Sequence, residues 1–344
     1  MKRKRGKIDV ALGAILVAVI VLLVVLVPYR PILVAGPTIE QTRLLLAAPV
    51  QGLRLRVFNT GANRMSSLLV GPDPPWRAAP AFLIEHPGRG LVAFDLGLSD
   101  EVAEHGEEAI APPVGWLMES RGRPPLTFDA QIKEAGLSPS DLEYVVLSHL
   151  HGDHTGVAEK FAHAIFIAGP GTRERMLEGK HSPFHSGAVP EWREVVFAGE
   201  EGGEEGGQER GDRGFQGEGK VGRIGPFASA IDLFGDGSIL LLSGGAGHTS
   251  EDLMMLVNLE SGPVLLTGDA VVHFDWLESE DVERIASDPD RAAVLRNQVR
   301  ALRDSKSILI IPGHDLRSLG SDRPDLIHHR PERFEPSAWP IERE

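Results

Sequence analysis

A chain of 344 residues, 42% of them hydrophobic, can hold one catalytic domain with accessories around a sizeable core. Its net charge of −14 is laid out unevenly, since residues 1–30 contribute +5 and leave −19 on the remainder. So acidic a remainder argues against nucleic acid as a partner, and a chain without cysteine can form neither a disulfide nor a thiolate metal site, which fits an exported domain.

The chain opens MKRKRGK, and eighteen uncharged residues run from Val10 to Val27, almost all Val, Leu, Ile and Ala. As a helix rising about 1.5 Å per residue, that run spans a bilayer core. A cleaved signal peptide is the alternative, but its apolar stretch is usually about 7–15 residues. The nearest cut, Leu33-Val34-Ala35, puts leucine where a small residue is needed. The expectation is an uncleaved transmembrane helix within residues 1–30, with Tyr29 and Arg30 at the interface. The five basic residues ahead of it place the N-terminus in the cytoplasm and the rest of the chain outside it. Residues 31–52 then read as a tether.

Leu53–Val57 and Ser67–Val70 read as first strands, and Ala81–Glu85 with Leu91–Asp95 as a hairpin over His86-Pro87-Gly88-Arg89-Gly90. Pro-rich stretches at 72–80 and 111–125 read as surface loops. Thr127 is placed to cap a helix carrying Phe128, Ile132 and Ala135 on one face, and Gly136 to end it. The apolar run Tyr144-Val145-Val146-Leu147 leads into Ser148-His149-Leu150-His151-Gly152-Asp153-His154-Thr155-Gly156. On an extended strand end, residues two apart point the same way, so His149 and His151 can grip one ion. Gly152 is expected to turn the chain sharply and swing Asp153 and His154 toward a second position. A solvated, His-rich loop is the bland alternative, but such a loop seldom sets alternating ligands behind a buried strand.

Phe161–Ala168 reads as a strand and Thr172 as a helix start; His181 and His185, among glycines and Pro183, read as an irregular rim. Residues 199–222 are rich in Gly, Glu, Gln, Arg and Asp, too poor in apolar surface to offset their ordering entropy, and read as a flexible insertion. Ser229–Phe234 and Ile239–Leu242 suggest a hairpin over Gly235-Asp236-Gly237. A helix begins at Asp288 with Pro289 in its first turn and Leu295, Val299 and Leu302 on one face. Residues 317–344 form a charged, Pro-rich tail in which His328 and His329 read as solvated.

The SHLHGDHTG segment resembles the HxHxDH signature of the metallo-β-lactamase superfamily, metal-dependent hydrolases of the α/β (α+β) class built as a four-layer αβ/βα sandwich. The rest of that pattern has counterparts: Gly247-His248-Thr249, Gly268-Asp269-Ala270 and Gly313-His314-Asp315 each follow an apolar run. The resemblance covers roughly residues 53–316, the hydrolase domain. It implies that His149, His151 and His248 bind one metal, Asp153, His154 and His314 a second, and that Asp269 bridges them. Seven nitrogen and oxygen donors suit two divalent ions, zinc best, with manganese, iron or cobalt open.

The implied reaction is hydrolysis through a metal-bridging hydroxide, with Asp153 passing a proton to the leaving group. Asp95-Leu96-Gly97 would be the turn toward the metal face, or Asp95 a simple cap; Thr155, Thr249, Ser250 and Asp252 would orient imidazoles or cap helices. Without a Cys ligand and with Asp269 in the bridging slot, acyl esters, thioesters and lactones fit better than β-lactams. The strings PAFLIEHPGRGLVAFDLG and SGPVLLTGDA are most similar to N-acyl-homoserine lactonases. Many of those place a tyrosine at the lactone carbonyl, whereas Tyr29 and Tyr144 lie in the anchor and the core strand. His273, four residues after Asp269, is the nearest donor in sequence to replace it, with an exposed histidine or one that only supports a ligand as the alternative. The expected function is a membrane-tethered binuclear hydrolase of a small ester or lactone. Phosphodiester or β-lactam hydrolysis, or a non-catalytic metal-binding scaffold, are the alternatives.

Overall fold

The segment Leu253–Leu259 is buried at every position and apolar but for Asn258. A strand with both faces covered belongs to the middle of a layered structure. The computed structural model describes residues 36–329 apart from 39, 67–74, 179–183, 185–188, 198–216, 246, 280–286 and 320–321.

One sheet contains β1 (Arg54–Met65), β2 (Arg77–His86), β3 (Gly90–Phe94), β4 (Met118–Gly122), β5 (Leu142–Val146), β6 (Ile165–Ala168) and β7 (Glu191–Glu194). The other contains β8 (Gly219–Val221), β9 (Ala230–Asp232), β10 (Ile239–Ser243), β11 (Leu253–Leu259), β12 (Gly262–Leu266) and β13 (Leu309–Ile311). A last strand, β14 (Leu326–His328), pairs in parallel with β1 at the edge of the first sheet. The orders are β14-β1-β2-β3-β5-β6-β7, with β4 also on β1, and β13-β12-β11-β10-β9-β8.

Alternation along these strands sends Leu55, Val57, Ile84 and Val92 of the first sheet against Ile239, Leu241, Met255 and Val264 of the second, which makes the central core. The opposite faces are covered by helices. Phe128 and Ile132 of α2 (Phe128–Glu134), which follows α1 (Asp100–His105), pack on Leu83, Ala93 and Val145. After α3 (Gly152–Thr155), α4 (Thr172–Glu178) and α5 (Phe274–Glu278), the long α6 (Pro289–Asp304) lays Leu295, Val299 and Leu302 on Leu240, Met254 and Leu265. The order is helix, sheet, sheet, helix. Asp288 caps α6 by accepting from the backbone N–H groups of Asp290 and Arg291.

Several expected boundaries move. Within the Pro-rich stretch 111–125, Met118–Gly122 is a strand on β1; its string Met-Glu-Ser-Arg-Gly lacks an apolar face because it lies at an edge and buries only Ser120. The strand expected from Phe161 starts at Ile165, after a 3-10 turn over Ala158–Phe161. Gly219–Val221, at the end of the expected insertion, pairs with β9, and residues 198–216 lie outside the described residues. The domain does not stop at Leu316: Leu326 is buried in the central core, and His329 packs on Phe58 with ring centroids 5.1 Å apart. The tether is docked, since Leu44 and Leu46 pack on the core under α6 and Asn258 donates to the Ala47 carbonyl at 3.0 Å. Ser67–Val70, His181, His185 and the Val10–Val27 run lie outside the described residues, among which no helix is long and apolar enough to cross a membrane.

Candidate metal centre

The candidate centre lies where strands of both sheets end. Ser148 follows β5, and its carbonyl accepts from the Leu253 N–H of β11 at 2.8 Å, tying the sheets together at that edge. His151 keeps an extended backbone as the N-cap of α3, which carries Asp153 and His154. The turn does not depend on Gly152, whose φ is not positive and whose added Cβ would meet nothing within 4 Å. Gly156 is the constrained residue: a Cβ there would lie 2.2 Å from the backbone of Leu98 and Ser99. β10 leads to His248, β12 to Asp269 and β13 to His314, so four strand ends deliver ligands to one edge.

His149, His151, His248 and Asp269 form one potential metal-holding group and Asp153, His154 and His314 a second, each with its donor atoms within 4.8 Å of one another. In the first, Nδ1 of His151 lies 2.9 Å from Nε2 of His149 and 3.1 Å from Nε2 of His248. Asp269 reaches both groups. Its Oδ2 is 3.9 Å from His149 Nε2 and 3.5 Å from His248 Nε2, and its Oδ1 is 3.5 Å from His154 Nε2. His314 Nε2 lies 3.2 Å from either oxygen of Asp269 and 3.5 Å from Asp153 Oδ2.

A surrounding layer of hydrogen bonds sets these side chains. Asp95, buried and at φ 59°, accepts from Ser148 N–H at 2.7 Å, from Ser148 Oγ at 2.8 Å, and pairs with His154 Nδ1 at 2.8 Å. The cap reading of Asp95 gives way to this one: it turns the His154 Nε2 toward Asp269. Asp252 accepts from the backbone N–H of His248 at 2.6 Å and from Thr249, which fixes the His248 loop. Thr155 instead donates to the His151 carbonyl inside its own turn. The Ala78 carbonyl holds His314 Nδ1 at 2.5 Å, and Asn63 Nδ2 donates to Asp153 Oδ2 at 2.7 Å. Asn63 and Ala78 carry no motif, so nothing in the sequence marks them.

Charge is divided between the two groups. Burial and the neighbouring His154 hold His149 well below the ordinary imidazole value, and burial with His248 lowers His151. Burial opposes charge on His154 too, but Asp269, Asp95 and Asp153 outweigh it and raise that imidazole to about 10. Against burial, Asp269 likewise raises His314, and His314 with His154 draws Asp269 well below the usual carboxylate range. The buried His154 Nε2 and Asp269 Oδ1 make no hydrogen bond, and two such orphaned donors to a metal, with hard oxygen and imidazole nitrogen around them, fit a pair of divalent ions.

His273 stands beside this centre as the N-cap of α5, with Nε2 3.5 Å from Arg77 Nη2 and Nδ1 4.0 Å from Asp275 Oδ2. Tyr144 is away from it, its ring edge-on to Phe234 in the central core with centroids 5.2 Å apart.

The sequence model of the metallo-beta-lactamase superfamily matches residues 74–314. The chain is 31% identical over 247 residues to the N-acyl homoserine lactonase AttM of Azorhizobium caulinodans, an alignment covering 69% of this chain and 81% of that protein. Among solved structures it is similar to AiiA of B. thuringiensis with N-decanoyl-L-homoserine bound, at TM-score 0.55 and 19% identity over 77% of this chain and 94% of the other. AidC, a dizinc quorum-quenching lactonase, superposes at TM-score 0.50 and 12% identity, with 80% of this chain and 92% of that one covered. Likeness at those identities is likeness of fold.

Proposed function

The chain belongs to the metallo-β-lactamase superfamily and is a metal-dependent hydrolase, and on that premise we propose that it opens lactones, N-acyl-homoserine lactones foremost, at a two-metal centre. The observation that carries the reading is Asp269, which turns one oxygen to His149 and His248 and the other to His154. A carboxylate shared in that way supports two ions in one site, and the lactonase relatives supply the substrate class.

His149, His151 and His248 would hold one ion, Asp153, His154 and His314 the other, and Asp269 both. When bound, two zinc ions supply an activated water at neutral pH and a Lewis acid for the carbonyl. The chain's own residues do the rest. Asp95 keeps the Nδ1 of His154 engaged, so that only Nε2 faces the centre. Asp153, partly exposed and steadied by Asn63, takes the proton lost by the attacking water and returns it to the departing alkoxide. His273, expected as the donor that replaces the tyrosine, would serve at the substrate mouth, a role supported by its position after Asp269 and its contact with Arg77.

The domain at 53–316, extended by β14, would be held at a membrane by a helix within residues 1–30, with the N-terminus in the cytoplasm. The basic cluster and the length of the apolar run support that arrangement.

The deciding experiment incubates the metal-loaded full chain with N-acyl-homoserine lactones, γ-butyrolactone, aryl esters, a phosphodiester and a β-lactam, following acid release. Turnover of lactones is expected. Turnover confined to the phosphodiester or the β-lactam would sink the assignment.

A further inference from the structure

We propose that Arg77 is a second binding point for substrate at the mouth of the metal centre, taking an acceptor oxygen carried outside the ring that opens: an amide carbonyl or a carboxylate. The proposal rests on the lactone reading.

Position comes from strand register. Across β1 and β2, Asn63 is paired with Arg77, and residues directly opposite in an antiparallel pair leave the sheet on the same face. The Asn63 side chain on that face touches Asp153 at 2.7 Å, and the next residue after Arg77, Ala78, holds His314 through its carbonyl. Arg77 is therefore flanked by contacts to both sides of the second metal group.

Its described partner is the imidazole of His273. A guanidinium only donates and stays charged, so in the 3.5 Å contact the Nε2 of His273 can serve only as the acceptor. His273 then has no N–H to offer a carbonyl from Nε2. It aims Arg77 and is a positioning residue, while the donors belong to the arginine.

Other arginines of this acidic chain reach oxygen acceptors: Arg56 pairs with Glu85, Arg89 with Glu218 and Arg317 with Asp315, while Arg300 and Arg323 donate to backbone carbonyls. Half-buried Arg77 has no carboxylate partner among the described residues, and four of its five N–H groups have no protein acceptor there. With the His273 imidazole as its acceptor among the described residues, Arg77 keeps N–H groups that a substrate oxygen can take. The scissile carbonyl belongs to the metals, so that acceptor lies elsewhere on the substrate, and the planar fork matches a carbonyl or carboxylate oxygen.

The test compares wild type with Arg77→Met, Arg77→Gln and His273→Ala at matched zinc content, on γ-butyrolactone, N-hexanoyl-homoserine lactone and a γ-butyrolactone bearing a ring carboxylate. Loss of a hydrogen bond from a charged donor corresponds to roughly 10- to 100-fold. Arg77→Met and Arg77→Gln should raise KM by about that much for one or both acceptor-bearing lactones and leave γ-butyrolactone unchanged; His273→Ala should give a smaller rise on the same substrates. Which of the two responds identifies the acceptor as amide or carboxylate. Calorimetric titration of the zinc-loaded protein with ring-opened N-hexanoyl-homoserine and with 4-hydroxybutyrate needs no turnover, so it separates failure of this proposal from failure of the lactonase reading. Equal weakening of both ligands by Arg77→Met, no weakening of either, or no preference in wild type for the acceptor-bearing one overturns the proposal.

Discussion

The side-chain amide of Asn63 donates to Oδ2 of Asp153 at 2.7 Å, and the buried hydroxyl of Ser120 donates to Oδ1 of Asn63 at 2.6 Å. A strand at the edge of the first sheet thereby fixes the orientation of the proposed general acid. Asn63→Ala should lower kcat about 10-fold or more on alkyl lactones, whose poor leaving groups need the proton, and less on activated aryl esters. Ser120→Ala should do the same more weakly. Metal content measured alongside should stay at the wild-type level, and an equal loss on both substrate classes would remove Asn63 from the proton path.

Asp269 serves both metal groups, so Asp269→Ala should cost more than one bound ion per chain, whereas His149→Ala should mainly deplete the first position. Gly313→Ala offers a subtler route to the same result. A Cβ at residue 313 would lie 2.3 Å from Asp269 Oδ1 and 2.6 Å from the Gly268 carbonyl, so the carboxylate has to move although every ligand is kept. Elemental analysis of the three variants tests this. Wild-type stoichiometry in Asp269→Ala contradicts the two-metal centre.

Lys160 joins Asp100 and Asp129 at 2.7 Å each. Burial pushes the Asp129 carboxyl up, but Lys160, Lys133 and Thr127 outweigh it and hold it below its ordinary value. A carboxyl lowered on folding contributes stability above its unfolded pKa, near ~3.9, and loses it as pH falls through the folded value. Lys160→Met should therefore destabilise the metal-free protein by about 1 kcal/mol at pH 7, a modest figure because the lysine is a third exposed. The gap to wild type should close below about pH 3, as urea titrations at several pH values would record. A gap independent of pH would point to lost packing of the lysine stem instead.

A chain anchored through Val10–Val27 should stay with membranes after alkaline washing, and removing residues 1–30 should release it. Protease added outside the cytoplasmic membrane should digest the domain. Digestion only after the cytoplasm is opened would reverse the orientation, and a mature N-terminus beyond Val27 would identify a cleaved signal.

All seven candidate ligands are legible in the sequence because each follows an apolar run, and strands that end at one edge of a layered fold carry their next residues to a common place. In the structure they lie in two clusters, Asp269 with His149, His151 and His248, and its Oδ1 3.5 Å from His154 Nε2 of the other. What surrounds them was not legible. Asp95 and His154 are separated by 59 residues, Asn63 and Asp153 by 90, Arg77 and His273 by 196, and Ala78 and His314 by 236. Such partners share no local pattern. β14 is illegible for the same reason, since Leu326–His328 becomes a strand only through pairing with Leu55–Val57 far away in the chain. Local chemistry and period fixed which groups could bind metal; sheet register and packing between distant segments decided what orients them and which cation faces the substrate.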